Sequence, residues 1–167
     1  MLGAILVPPT AEAIDSEGIR AASVALEAVC DRVLVFGSGS KAVTHPLPAD
    51  ASDLAAVTAA LRQAGEDHVA VLAADLLHPS GELLRYMERV RGSFEAVVPE
   101  RRNGGLQPLA AIYHGALLRR AEGLIAAGER DLAALLELAS VRRISIEETA
   151  KFGDPERLLQ RGRPAPH

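Results

Sequence analysis

Short apolar runs bounded by turn residues alternate along this chain with stretches whose apolar positions recur every three to four residues. "GAILV" is the first such run, fully apolar and ended by Pro8 and Pro9, and it reads as a strand buried on both faces. "IRAASVALEAVC" follows with helical spacing, its apolar face set by Ile19, Ala22, Val24, Leu26 and Val29. "RVLVFG" is the next predicted strand, stopped by "GSGS"; "ASDLAAVTAALRQAG" is a helix with Gly65 as its C-terminal cap. "HVAVLAAD" predicts a strand, and "SGELLRYMERV" a helix with Ser80 as N-cap and Glu82 in the first turn. "FEAVVPE" and "PLAAIYH" read as strands on either side of the loop "ERRNGGLQ".

Two helical stretches, "GALLRRAEGLIAAG" and "RDLAALLELA", join at Gly128 and lead to a last strand, "VRRISI", which alternates basic and apolar residues. "DPERLLQ" predicts a short helix with Asp154 as N-cap and Pro155 at the first helical position. Strands and helices alternating at this spacing imply β-α-β units and a three-layer α/β/α sandwich around a mostly parallel sheet. Residues 1–160 are expected to form one domain and residues 161–167, "RGRPAPH", a flexible tail without apolar content.

In an open α/β sheet, ligands collect at the carboxyl ends of the strands. That rule selects Pro8 to Thr10, Gly37 to Lys41, Asp75 to His78, and Glu100 to Asn103. Asp75 leaves an apolar strand end, where a carboxylate is costly without a partner. It either helps hold Mg²⁺ against phosphate oxygens or accepts N–H groups of the next helix.

Composition narrows the class. The chain is 49% hydrophobic and 24% charged, ordinary for a globular protein, and its formal charge of −4 argues against a broadly basic nucleic-acid face. The sole cysteine, Cys30, excludes an internal disulfide and is expected as a buried thiol on a helix. No apolar run is long enough to span a bilayer and no basic leader precedes the first, so a cytoplasmic protein is expected, with no membrane partner.

Other candidates are weaker. "GSGSK" lacks the phosphate-loop spacing and the following helix, so a plain turn is favoured. Arg101 and Arg102, beside Gly104 and Gly105, either clamp a phosphorylated substrate or form a solvated loop. The 5 histidines are scattered without metal-ligand spacing; His78 matters only for lying close to Asp75.

Laid in order, these segments resemble the molybdenum-cofactor guanylyltransferases, MobA-like members of the nucleotide-diphospho-sugar transferase-like α/β proteins. "SDLAAVTAAL" falls in the frame of that family's G-P-L-A-G-L-x-A-A-L, and "AADLLHPSGELL" in the frame of x-x-D-x-P-F-L-T-P-E-L-L. "LQPLAAIYH" is similar to its Q-P-L-x-A-x-Y segment, and "FGDPERL" stands where it has N-I-N-T-P-E-D-L. The resemblance implies transfer of GMP from GTP to molybdopterin, with Asp75 as the Mg²⁺ ligand. It implies nucleotide contacts at Pro8, Pro9, Thr10 and Ser52, and substrate contacts at Arg101, Arg102 and Gln107. GTP or another nucleotide is the implied substrate. The implied partners are the nucleotide, molybdopterin, and a second copy or a pathway protein.

The pattern breaks at the first βα loop, where the family carries L-A-G-G-x-S-x-R-M-G-x-D-K. Here "PPTAEAIDSEGI" has neither the glycine pair nor the Arg and Lys, and Pro8 and Pro9 offer no N–H. Asp53 and Ala56 stand in the "GPLAG" frame, and Phe152 and Gly153 replace the asparagines. A fixed donor aimed at transition-state charge is worth about 3 kcal/mol, so losing several implies that transfer is weakened or lost. The alternative is a non-catalytic regulatory or partner-binding module that keeps only the fold. Transfer to another sugar or alcohol phosphate is also compatible with it.

Overall fold

The computed structural model describes residues 1–8 and 16–162. Seven strands form one sheet: β1 (Leu2–Leu6), β2 (Arg32–Gly37), β3 (His45–Pro46), β4 (His68–Ala73), β5 (Ala96–Pro99), β6 (Ala110–His114) and β7 (Val141–Ile144). Their order is β3-β2-β1-β4-β6-β5-β7, and every pairing is parallel except the two made by β6. The helices are α1 (Ser16–Glu27), α2 (Asp53–Ala64), α3 (Gly81–Val90), α4 (Leu118–Ala126), α5 (Leu132–Glu137), α6 (Ile146–Ala150) and α7 (Pro155–Leu158). α1 packs with α3 on one side of the sheet, and α2 packs with α4 and α5 on the other, giving the three expected layers.

The central strands are apolar because both faces are covered. All of β1 is buried, as is β4 from Val69 to Ala73, and α1 and α2 both lie against β1. The same holds in β6, where Ala111 and Tyr113 on one face and Ala110 and Ile112 on the other are all buried. Its reversal follows from the connection. From Glu100 to Leu109 the chain returns without a crossover helix, through a turn in which Arg101 N–H donates to Gly105 O at 2.8 Å. Such a return gives an antiparallel neighbour.

Local signals set the helix ends. Ser52 Oγ accepts from Ala55 N at 3.1 Å at the start of α2, and Gly65 closes it at φ 64°. Ser80 Oγ accepts from Leu83 N at 3.1 Å at the start of α3. Caps of this kind contribute about 1 kcal/mol each. Asp154 caps α7 with Pro155 at its first turn, as the sequence predicts.

The structure departs from the sequence reading in four places. A two-residue strand, β3, borders β2, pairing His45 with Phe36. The strand expected across "VRRISI" stops at Ile144, because Ser145 and Glu148 form a reciprocal capping box that starts α6. Cys30 is half-buried just beyond the end of α1, and burial pushes its thiol up to about 12. Finally, Arg161 and Gly162, assigned by sequence to the tail, are tied down: Gly162 N donates to Asp75 O at 2.7 Å, and Leu77 N to Gln160 O at 3.0 Å.

Candidate functional site

The sheet's crossovers run in opposite directions from β1, toward β2 on one side and β4 on the other, so the carboxyl ends of β1 and β4 flank a topological switch. An open cleft lies there, about 370 Å³ of empty volume with its mouth included. Val7 and Pro8 form one edge, Gly37 and Ser38 another, and Ser52 and Asp53 bring in the start of α2. Leu47, Pro48, Ala56 and Leu109 make an apolar wall, and Arg161 completes the lining.

Pro8 and Ser52, two of the four residues implied as nucleotide contacts, therefore meet in this cleft. Pro9 and Thr10 lie outside the described residues. Ser52 has a prior engagement, its hydroxyl oxygen capping α2. The N-terminus of α2 favours an anion, but Asp53 sets a carboxylate beside it.

Asp75 follows β4, as the sequence reading requires, but its partner is not a helix N–H. Arg161 Nε donates to Asp75 Oδ1 at 2.8 Å, with the two side chains 32% and 20% exposed, respectively. Arg161 lines the cleft and Asp75 does not. Asp75 as a divalent-metal ligand thus meets a guanidinium already seated on its carboxylate. Among the described residues no cluster of three His, Cys, Asp or Glu could hold a metal ion. A divalent cation would therefore compete with the Arg161 guanidinium for the Asp75 carboxylate, on which no other described residue makes a hydrogen bond.

The implied substrate contacts lie apart from the cleft lining. Gln107 is buried at 4% exposure; its Nε2 donates to Leu159 O at 3.0 Å and its Oε1 accepts from Leu109 N at 3.4 Å. It ties the β5–β6 return to the segment carrying Arg161. Arg102 is 57% exposed and reaches Asp154 and Glu156 at 3.8 Å each, a loose surface pairing with α7. Arg101 is exposed on the same loop. His78 Nε2 lies 3.3 Å from Arg157 Nη2. The structure brings in Arg161, which the sequence reading does not select; its only signal is the isolated "RGR" far from Asp75 in sequence.

A mostly parallel sheet with one reversed strand and a cleft at its switch point defines the nucleotide-diphospho-sugar transferase fold shared by nucleotidyltransferases. Residues 17–144 match the MobA-like NTP transferase domain, and the chain belongs to that family. The match begins after β1 and ends before the segment that carries Arg161. A 40-residue stretch is 60% identical to a probable molybdenum cofactor guanylyltransferase of Deinococcus radiodurans, spanning 24% of this chain and 19% of that protein. Among solved structures, the molybdopterin-guanine dinucleotide biosynthesis protein A of Archaeoglobus fulgidus superposes with a TM-score of 0.77 at 19% identity. That likeness covers 99% of this chain and 93% of the other. A Mycobacterium tuberculosis protein solved in complex with manganese covers 95% of this chain and 97% of its own, with a TM-score of 0.61 at 14% identity. No described helix is long and apolar enough to cross a membrane.

Proposed function

We propose that this chain is a guanylyltransferase-like nucleotide-binding protein of molybdenum-cofactor metabolism whose capacity to move GMP from GTP to molybdopterin is weakened or lost. Family membership and the short, strong likeness to a probable guanylyltransferase support the nucleotide and the pathway. The observation that carries the reading is the composition of the cleft. Leu47, Pro48 and Ala56 suit the flat face of a base, while the phosphate side meets Pro8 without an N–H, the Asp53 carboxylate and a single cation among the described lining residues, Arg161.

In the transfer reaction the acceptor phosphate oxygen attacks the α-phosphorus, the α–β bridging bond breaks, and pyrophosphate leaves with the charge. Each fixed donor missing from that phosphate path costs about 3 kcal/mol of transition-state stabilisation. One guanidinium does not replace the Arg and Lys of the family's first loop, neither of which residues 8–15 carry.

Calorimetric titration with GTP and other nucleoside triphosphates, with and without Mg²⁺, tests the binding. The expected result is saturable heat for at least one of them below millimolar concentration, and no heat for any overturns the reading. The pairing of Arg161 with Asp75 also favours a second reading, a non-catalytic module of cofactor biosynthesis that keeps the scaffold. Release of pyrophosphate from GTP with molybdopterin, abolished in Asp75→Ala, eliminates that second reading.

A further inference from the structure

A carboxylate at the end of a buried strand must be neutralised, and the partner chosen decides what the site offers a ligand. Here the partner is fixed twice. Leu76 and Arg161 form an antiparallel bridge, with backbone bonds on both sides of it, and the Arg161 side chain then turns its Nε onto Asp75. Only Nε is used: neither Nη1 nor Nη2 bonds to a described residue, and the side chain is a third exposed where it lines the cleft beside Pro8 and Ser52. A guanidinium held by one nitrogen on a carboxylate presents its remaining N–H groups as a planar fork, the geometry that suits phosphate oxygens.

We propose that Arg161 takes the place of the divalent cation. Seated on Asp75, it is the phosphate receptor of the cleft, and it makes binding of a nucleoside triphosphate or pyrophosphate independent of metal. This rests on the nucleotide reading of the cleft and adds to it the group that meets the phosphates. The ligand is anionic and the pair carries no net charge, so Arg161 delivers its positive charge only by turning its free edge toward the phosphate while Asp75 keeps it in register. Asp75 is thus a positioning residue and Arg161 the contact.

Two measurements test this on the full chain. In the first, Mn²⁺ is titrated into wild type, Asp75→Asn and Arg161→Met without nucleotide and followed by electron paramagnetic resonance. Wild type is expected to bind no Mn²⁺ up to about 1 mM, and Arg161→Met, with its carboxylate released, to bind it more tightly than wild type. A wild-type site that Asp75→Asn abolishes overturns the inference whatever nucleotides do.

In the second, GTP and pyrophosphate are titrated calorimetrically into wild type, Arg161→Lys and Arg161→Met, in EDTA and in excess Mg²⁺, with circular dichroism checking the fold. Wild-type affinity in EDTA is expected within about threefold of that in Mg²⁺. Arg161→Met should bind at least tenfold more weakly in EDTA, with Arg161→Lys between. Wild type that loses tenfold or more in EDTA, or a folded Arg161→Met that binds as well as wild type, overturns it. If wild type binds neither compound under any condition, the nucleotide reading and the phosphate-receiving role fall together. The Mn²⁺ titration still decides separately whether Arg161 holds Asp75 against a metal.

Discussion

The imidazole of His68 stands edge-on to that of His114, ring centroids 4.5 Å apart, where the first residue of β4 pairs with the last of β6. Arg91 Nη1 approaches His68 Nε2 at 3.0 Å, so the ring accepts there and is held neutral. Burial foremost, then the charges of Arg91 and His114, lower the His68 pKa to about 4, against smaller opposing effects of Asp67 and Glu88. A histidine whose folded pKa is depressed makes the unfolded state the better proton acceptor. Its contribution is therefore intact above about 6.5 and is lost as pH falls toward 4. After allowance for solvent screening, roughly 1–2 kcal/mol of stability should disappear over that window. Urea midpoints of wild type and His68→Gln at pH 7.5 and pH 5 check this: the wild type should fall further, and equal falls would assign the loss elsewhere.

Glu148 gives an acid-side loss of the same sign from the opposite cause, a charged form that the fold favours. The Arg142 hydrogen bonds foremost, then Tyr86 and Ser145 N–H, hold its carboxyl at about 2 against the desolvation that raises it. A carboxylate with a lowered folded pKa stabilises above about 4.5, and that contribution fades as pH drops toward 2. Glu148→Ala loses both the ion pair and half of the capping box, at a cost of about 1–2 kcal/mol. Glu148→Gln should recover part by keeping the cap. Denaturation at pH 7 and pH 3 should show the gap between Glu148→Ala and wild type narrowing at the lower pH.

Gly37, at the cleft's edge, has φ 148°, and an added Cβ would stand 2.7 Å from Val7 Cβ and 2.9 Å from Val7 O. Backbone strain and contact with a buried strand end combine, so Gly37→Ala should cost about 2 kcal/mol or more. Gly39→Ala is the comparison: its φ is 78°, but nothing lies within 4 Å of the added carbon. Thermal unfolding of both variants should rank Gly37→Ala lower.

Gln107→Ala removes the donor to Leu159 O and leaves that buried carbonyl short of a partner, costing about 1–3 kcal/mol. Because Leu159 stands two residues before Arg161, hydrogen exchange should rise at residues 158–162. An unchanged exchange pattern together with weaker nucleotide binding would instead make Gln107 a direct contact.

The elements whose signals are local were legible in the sequence. Gly65, Ser80 and Asp154 each terminate or start a helix as their chemistry dictates. The doubly covered β1 and β4 follow from unbroken apolar runs. β3 was not legible, because His45 and Pro46 carry no pattern and form a strand only by meeting Phe36 and Gly37. Ser145 to Glu148 did carry a capping signal, overrun by the alternation of the strand before it. The cleft position follows from topology, which selected Pro8 and Gly37, while Ser52 came from the family frame. Arg161 was invisible because its meaning depends on a carboxylate 86 residues earlier, and no spacing rule spans that separation.

That separation makes assembly order matter. A polypeptide stopped at Gln160 would contain every strand and helix described above, yet the Asp75 carboxylate would lack its guanidinium. Under the inference drawn above, such a product takes up divalent ions more readily than the longer chain, so metal uptake becomes a gauge of whether the last stretch has docked.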